Sequence, residues 1–211
     1  MVLSFTSNYD SKENTEIREK LTDRENYKKY FDMVPFQMDI ERIVLKEMIE
    51  HGDSFRAIRA IPLFLRRFYI QAYQSFIFNQ SLSLAFSDGE NLFQAKSDDV
   101  CFDFKGIIGK FVHGLDQKLA LPFVGYSYYK KTRFDYQISK ILQQEEITPK
   151  DFFIKEMQEV SSEGGFRQAA IHCTNYSSNH NVVEFSLSRG SFATILLREI
   201  MKPDNPIIAG F

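Results

Sequence analysis

Apolar positions in the first part of the chain recur at the spacing of an α-helix. Ile40, Val44 and Met48 form one stripe, and Gly52 can end the helix that carries it. Pro62 favours the start of a longer helix running to about residue 82, because proline suits the first helical position. This second helix is apolar on nearly all sides, so we expect it to be the central core helix.

The stretch from residue 68 to residue 87 contains no charged side chain. Its length would suit a membrane span. It also contains many amides and hydroxyls, among them Gln71, Gln74 and Asn79, which a bilayer interior would not tolerate at this density. We therefore interpret it as a buried helix of a soluble protein and expect no association with a membrane.

Period-two alternation indicates strands in the second half. Val100, Phe102 and Phe104 recur at every second position, which predicts one strand. Residues 183, 185 and 187 show the same alternation ahead of a helix that begins near residue 192. The remaining predictions are helices at about residues 135–143 and 148–157, a strand at 166–173 and a polar loop at 174–181. The predicted fold class is α+β.

The composition describes an ordered chain without a strong charge. Its 211 residues are 44% hydrophobic and 26% charged, with a formal net charge of −2, so any RNA-binding face would have to gather its cations locally. Cys101 and Cys173 are isolated, and the N-terminus lacks a secretory signal, which together predict a cytoplasmic protein. The 4 histidines lack metal-ligand spacing and no nucleotide-binding motif is present, so we expect no metal and no small-molecule cofactor.

One strand–helix junction contains residues that could bind an anion or a base. The predicted strand that ends near residue 188 is followed by Arg189, Gly190, Ser191 and Phe192, and then by a helix. Backbone N–H groups at a helix N-terminus favour an anion, glycine allows close backbone approach, and the phenylalanine ring could stack on a base. The alternative is a structural turn in which Ser191 caps the helix, Phe192 joins the core and Arg189 is solvated.

Two further groups of basic residues could contact RNA. Arg66 and Arg67 lie near the start of the long helix, where they could form a phosphate-binding edge or simply a solvated helix end. Lys130, Lys131 and Arg133 lie beside three tyrosines, and cations interleaved with aromatic rings suit RNA through stacking and charge. For this second group the alternative is an ordinary exposed loop.

Three strings of residues are more specific than these patterns. They are AIPLFLRRFYIQAYQSFIFNQSL at 60–82, LALPFVGY at 119–126 and FSLSRGSFATILLREIMK at 185–202. In order and spacing they resemble the TruD family of tRNA pseudouridine synthases, in its archaeal-like form. The resemblance covers nearly the whole chain and is most specific in the AYQSF and GSFAT strings.

The resemblance implies a function, a partner and a domain plan. The family converts uridine to pseudouridine in tRNA, typically at position thirteen, without a metal or organic cofactor, and the target base must be extruded from the RNA. One aspartate is essential in the family, beside a basic residue and a stacking ring. The family fold is a catalytic domain interrupted by an inserted α/β TRUD domain. Residues 1–180 would be most of that insertion, and residues 181–211 the last strand and helix of the catalytic domain.

The chain departs from the family at its catalytic segment. The aspartate lies in a GxKDxxAxTxQ segment that these residues lack, and the NxFGxQRFG segment is also absent. Asp116 falls in the nearest match but lacks the neighbouring lysine, so we assign it no catalytic role. We expect a fragment that is inactive by itself, with Val183, Phe185 and Leu187 lacking part of their cover. The alternatives are a stand-alone, non-catalytic RNA-binding module and a structural domain that does not bind RNA. These residues indicate no particular oligomeric state.

Overall fold

The computed structural model describes residues 3–7, 9–128, 132–180, 182–188 and 190–210. In these ranges the helices are α1 (Lys12–Lys20), α2 (Tyr27–Tyr30), α3 (Asp39–His51), α4 (Ser54–Ala60), α5 (Leu63–Ser87), α6 (Asp135–Gln144) and α7 (Ala193–Met201). The strands are β1 (Val100–Phe102), β2 (Ile108–Lys110), β3 (Lys118–Phe123), β4 (Gly165–Gln168), β5 (Thr174–Asn179) and β6 (Val182–Ser186). Short 3-10 helices occur at Arg24–Asn26, Phe31–Met33, Pro149–Phe152 and Lys155–Val160. The predicted α+β class is confirmed.

Internal contacts divide the chain into two compact units. The first consists of residues 1–73 and 152–162, and the second of residues 74–151 and 163–211. This division describes where contacts are dense. It is a different matter from the assignment of residues 1–180 and 181–211 to two family domains, which stays a prediction.

The first unit is helical and has its own apolar core. As predicted, α3 carries the apolar stripe and ends at Gly52, which adopts a left-handed φ of 68° and donates its N–H to the Met48 carbonyl. The next helix, α4, begins because the Asp53 side chain accepts hydrogen bonds from two backbone N–H groups of its first turn. The buried core residues are Leu3, Leu21, Val34, Met38, Val44, Leu45, Ala57 and Ile61.

The long helix α5 begins directly after Pro62, as predicted, and its 25 residues extend beyond the predicted end. Its buried residues are Gln74, Ile77, Phe78, Ser81 and Ala85. The expectation of a helix enclosed in the core is wrong for its outer face, where Phe64, Phe68 and Phe86 are exposed. Among the described residues, none of the helices combines the length and the apolar character that a membrane span requires.

The second unit contains an antiparallel sheet in the order β2–β1–β3–β4. Residues 119–121 of β3 are all buried, and β3 pairs with a strand on each side. In the β3–β4 pair, Phe123 lies opposite Gly165, and Leu121 lies opposite Arg167. This register determines which side chains of β4 can reach the rings of β3.

The first strand of the sheet is shorter than the alternation predicted. β1 ends at Phe102, and Phe104 lies beyond it, highly exposed. The fully buried residue of β1 is Cys101. Burial raises the pKa of the Cys101 thiol, and the negative charge of Asp99 raises it further.

Three further segments differ from the prediction. Residues 174–179 form β5, where the polar composition predicts a loop, because β6 pairs with Thr174 and with residues 177–179 across an irregularity in the register. Residues 148–157 form parts of two 3-10 helices rather than one helix, and Met157 has non-helical backbone angles. The strand predicted at 166–173 ends at Gln168.

The β5–β6 hairpin and α7 have little apolar cover. No residue of α7 is buried, and Ile195, Ile200 and Met201 are exposed. Val183 and Phe185 of β6 are half-buried. These observations agree with the expectation that the last strand and helix lack part of their cover.

Candidate functional site

The strand–helix junction near residue 190 has the backbone turn that the sequence predicts. Gly190 adopts a left-handed φ of 87°, and the Ser191 N–H donates to the Ser188 carbonyl at 3.1 Å. The residue before α7 is Phe192, whose side chain makes no capping hydrogen bond and is 74% exposed. The structural alternative, with Ser191 as cap and Phe192 in the core, is therefore wrong. Arg189 lies outside the described residues, and anion binding at this junction stays a prediction.

Arg66 and Arg67 are held by polar contacts with other residues of the first unit, although Arg67 is exposed. Arg66 donates from Nε to the Ile61 carbonyl at 2.9 Å and lies 2.9 Å from a Glu159 carboxylate oxygen, and its side chain is 12% exposed. Arg67 donates to the Glu159 carbonyl at 2.8 Å. The pKa of Glu159 is lowered by its own backbone N–H and then by Arg66. The alternative of a solvated helix end is wrong for Arg66, and an RNA contact by the pair stays a prediction.

The Arg133 side chain makes ion pairs and hydrogen bonds with other residues of the second unit. Its guanidinium lies 3.1 Å from a Glu90 carboxylate oxygen and 3.3 Å from one of Asp99, and it donates to the carbonyls of Asn91 and Gln94, both at 3.1 Å. Only 16% of the side chain is exposed. The alternative of an ordinary exposed loop is therefore wrong for Arg133. Lys130 and Lys131 lie outside the described residues, so their part in an RNA-binding patch stays a prediction.

Residues of two of the three specific sequence strings, 60–82 and 119–126, meet in the second unit. The buried Gln74 side chain of α5 donates to the Val124 carbonyl at 2.6 Å. One turn further, Phe78 packs near Phe123 of β3, with ring centroids 6.2 Å apart. The AYQSF helix and the LALPFVGY strand are therefore joined by a buried polar bond and a ring contact.

A close backbone crossing joins the same strand to the loop before β4. A Cβ on Gly125 would lie 2.2 Å from the Gly164 nitrogen, and a Cβ on Gly164 would lie 2.5 Å from the Phe123 carbonyl oxygen. Ser127 strengthens the crossing, since its N–H and its hydroxyl both donate to the Glu163 carbonyl. Glycine at both positions is thus a geometric requirement.

The guanidinium of Arg167 in β4 lies over the Phe123 ring, with the guanidinium carbon 3.6 Å from the ring centroid. The register leaves this space open because Gly165, opposite Phe123, has no side chain. Ser75 of α5 accepts a hydrogen bond from Arg167 at 3.0 Å. Partial desolvation of the guanidinium lowers the pKa of Arg167, although the residue as a whole is exposed, and arginine stays charged at neutral pH. The sequence did not single out Arg167 as a site residue, because Ser75 and Phe123 are far from it along the chain.

Two aspartates in the described residues form ion pairs with arginine. Asp10 lies 3.2 Å from Arg18, and Asp99 lies 3.3 Å from Arg133. Both carboxylates also accept from a backbone N–H, and their side chains are only 15% and 5% exposed. These pairs are therefore shielded, and neither presents an open carboxylate to a bound base.

The structure also brings Glu47, Glu50 and His51 together at the end of α3, with potential metal-ligand atoms within 4.8 Å of one another. The sequence did not single out this group. Arg56 lies 3.1 Å from Glu47, and Lys46 lies 4.0 Å from Glu50. The group is thus part of a surface network of opposite charges.

The family model for tRNA pseudouridine synthase D (TruD) matches residues 1–200. The chain belongs to the TruD family. The probable tRNA pseudouridine synthase D of Pyrobaculum islandicum is 30% identical over 190 residues, which are 88% of this chain and 45% of that protein. A probable TruD of Methanocaldococcus jannaschii is 29% identical over 201 residues, covering 92% of this chain and 46% of the relative.

The structure of this chain is also similar to part of a solved TruD structure. A crystal structure described as that of a TruD from Methanosarcina mazei superposes with a TM-score of 0.81 at 22% identity, covering 98% of this chain and 54% of that one. The chain thus spans about half the length of the TruD relatives that it matches. The resemblance recognised in the sequence strings is confirmed, and the mixed α+β fold matches part of a TruD structure.

Proposed function

We propose that this chain is the tRNA-binding part of a TruD pseudouridine synthase. The complete enzyme would isomerise uridine to pseudouridine at position thirteen of tRNA. The observation that carries the proposal is the family match over residues 1–200. The relatives are described as tRNA pseudouridine synthases, which supports tRNA as the partner. Breaking the glycosidic bond and rejoining the base requires the uridine to leave its stack, so the RNA must be held firmly around an extruded nucleotide.

We further propose that the catalytic aspartate is supplied by a segment outside these residues. The GxKD pattern is absent from the sequence. The two aspartates paired with arginine are shielded, as described above, which gives a uracil no direct approach to them. In this proposal the described residues hold the RNA, while the essential carboxylate would come from the remaining half of a TruD protein.

In this proposal β6 and α7 belong to the catalytic domain, and residues 1–180 to the inserted TRUD domain. The exposed apolar side chains Ile195, Ile200 and Met201 support it, because an amphipathic helix normally buries its apolar face. The catalytic domain's sheet would cover this face. Arg189, Gly190, Ser191 and Phe192 would then lie at the rim of the uridine pocket.

The alternative proposal is a stand-alone module that binds RNA but does not catalyse pseudouridine formation. The compact cores of the two units favour it, since a helical core and a buried sheet are both formed within these residues. In either case we propose a cytoplasmic location, which agrees with a tRNA substrate and with the unpaired thiols of Cys101 and Cys173.

The two proposals are separated by the DNA upstream of the Met1 codon and by the product expressed from that locus. We expect an in-frame segment encoding GxKD and NxFGxQRFG, and a product about twice the size of this chain. A stop codon directly upstream, with only the 211-residue product, would support the stand-alone module instead.

Activity is then measured on unmodified tRNA transcripts. We expect the 211-residue chain to bind tRNA more weakly as salt rises and to form no pseudouridine. The longer product should form pseudouridine, and a transcript with cytidine at position thirteen should remain unmodified. Pseudouridine formation by the short chain would show that it contains its own catalytic carboxylate. Lack of tRNA binding at low salt would remove RNA as its partner.

A further inference from the structure

The strongest unassigned binding chemistry lies around Arg167. Its guanidinium is fixed in orientation, because one face lies on Phe123 and one nitrogen donates to Ser75. The residue is nevertheless exposed. An exposed arginine normally samples many rotamers, and ordering it costs free energy on binding. Because Arg167 is already held in one orientation, binding a ligand through its N–H groups would cost less conformational entropy.

The charge of Arg167 is balanced differently from that of six other arginines, although Arg24, Arg42 and Arg67 also form no ion pair among the described residues. Arginines with a carboxylate within 4.0 Å are Arg18, Arg56, Arg59, Arg66, Arg133 and Arg198. Within the described ranges no carboxylate lies at that distance from Arg167. Its positive charge is therefore available to a partner, whereas Arg66 and Arg133 are compensated by acids of the protein itself.

The geometry also selects the part of the guanidinium that a partner can use. The Phe123 ring occupies one face at 3.6 Å, and the Phe78 ring lies 6.0 Å away. In the described part of the chain, Ser75 is the acceptor that Arg167 reaches. The remaining N–H donors lie along the planar edge of the group, and such a fork matches the oxygens of a phosphate.

We propose that Arg167 binds a phosphate of the tRNA backbone. The inference rests on the proposed RNA-binding function and names a contact within it. Ser75 and Phe123 act as positioning residues, since they orient the guanidinium without touching the RNA. The contact would connect the RNA to β4 and, through Ser75, to α5, which carries the AYQSF string.

The test measures binding of a fluorescently labelled, unmodified tRNA transcript by the 211-residue chain across a range of salt concentrations. We expect Arg167→Gln to weaken binding about tenfold at low salt and to reduce the slope of log affinity against log salt by about 1. Arg167→Lys keeps the charge but loses the fork, so its slope should stay normal while its affinity falls several-fold.

The matched control is Arg56→Gln, which also removes one exposed positive charge, but one already paired with Glu47. We expect its tRNA affinity to stay within about twofold of the unsubstituted chain, since exposed pairs contribute little. Thermal unfolding of each variant shows that its fold is retained. If Arg167→Gln fails to fold, Arg167→Lys decides through its affinity.

The outcomes separate the two proposals. If the unsubstituted chain does not bind tRNA at low salt, the RNA-binding function and this contact are both overturned. If it binds, and folded Arg167→Gln has the affinity and salt slope of Arg56→Gln, only the Arg167 contact is overturned. Unchanged affinity of Arg167→Lys, in the case where the glutamine variant does not fold, overturns it as well.

Discussion

Gly125 and Gly164 cross so closely that a Cβ on Gly125 would lie 2.2 Å from the Gly164 nitrogen. The atoms in the way belong to the backbone, so no side chain can move to make room. We expect Gly125→Ala to lower the free energy of unfolding by about 3 kcal/mol, since overpacking forces the backbone to shift. Urea unfolding, followed by circular dichroism, measures the loss.

Gly109→Ala is the matched control for the crossing. Gly109 lies in β2, and a Cβ there would meet no atom within 4 Å. We expect its free energy of unfolding to stay within about 0.5 kcal/mol of the unsubstituted chain. Equal effects of the two substitutions would show that the crossing does not limit stability.

We expect substitution of Arg133 to lower the free energy of unfolding more than it lowers the affinity for tRNA. Arg133→Met leaves the Asp99 carboxylate, which is 5% exposed, without its cation, and we expect a loss of about 3 kcal/mol in the free energy of unfolding. Lys96→Met is the control, because Lys96 pairs with the same Glu90 but is 60% exposed, and we expect a change below about 0.5 kcal/mol. A stable Arg133→Met variant with weakened tRNA binding would instead support the RNA contact predicted from the sequence.

Gln74 should hold α5 to the end of β3. Replacing it by leucine removes the donor to the Val124 carbonyl and leaves that buried oxygen without this bond. We expect a loss of about 1–3 kcal/mol in the free energy of unfolding. Gln80→Leu, at an exposed position of the same helix, is the control and should be nearly neutral. If the two variants unfold at the same urea concentration, the Gln74 bond contributes nothing measurable.

We expect Tyr128 to make the free energy of unfolding decrease as the pH becomes alkaline. Its hydroxyl donates to Asp135 at 2.7 Å, and burial, followed by this hydrogen bond and the carboxylate charge, raises the pKa of Tyr128 above its usual value. The folded state therefore keeps the neutral phenol where the unfolded chain already loses the proton. The stabilisation is present below the unfolded pKa of about 10 and is lost as pH rises above it.

The Tyr128→Phe variant tests this dependence. At pH 8 we expect it to be less stable than the unsubstituted chain by about 1–2 kcal/mol, because one hydrogen bond to a carboxylate is lost. Between pH 9 and pH 11 the difference should narrow, since only the unsubstituted chain has this proton to lose. Urea unfolding at several pH values measures it. A constant or widening difference would mean that Tyr128 does not carry the effect.

Local pattern was enough to determine several elements and the family. The start of α5 after Pro62, the end of α3 at Gly52 and the helix α6 all follow from residues within a few positions of one another. This is expected, since helix periodicity and termination are written in neighbouring residues. The AYQSF and GSFAT strings likewise led to the TruD family without a structure.

Only the tertiary structure decided which partners the polar and charged residues have. Residues 174–179 form a strand because β6 lies beside them, although their own composition favours a loop. Arg133 binds acids of its own unit, while Arg167 lies on Phe123 with its charge uncompensated by the described residues. Neighbouring residues do not predict this difference between the two arginines, because the carbonyls and carboxylates around Arg133 and the Phe123 ring against Arg167 come from distant segments that folding brings together.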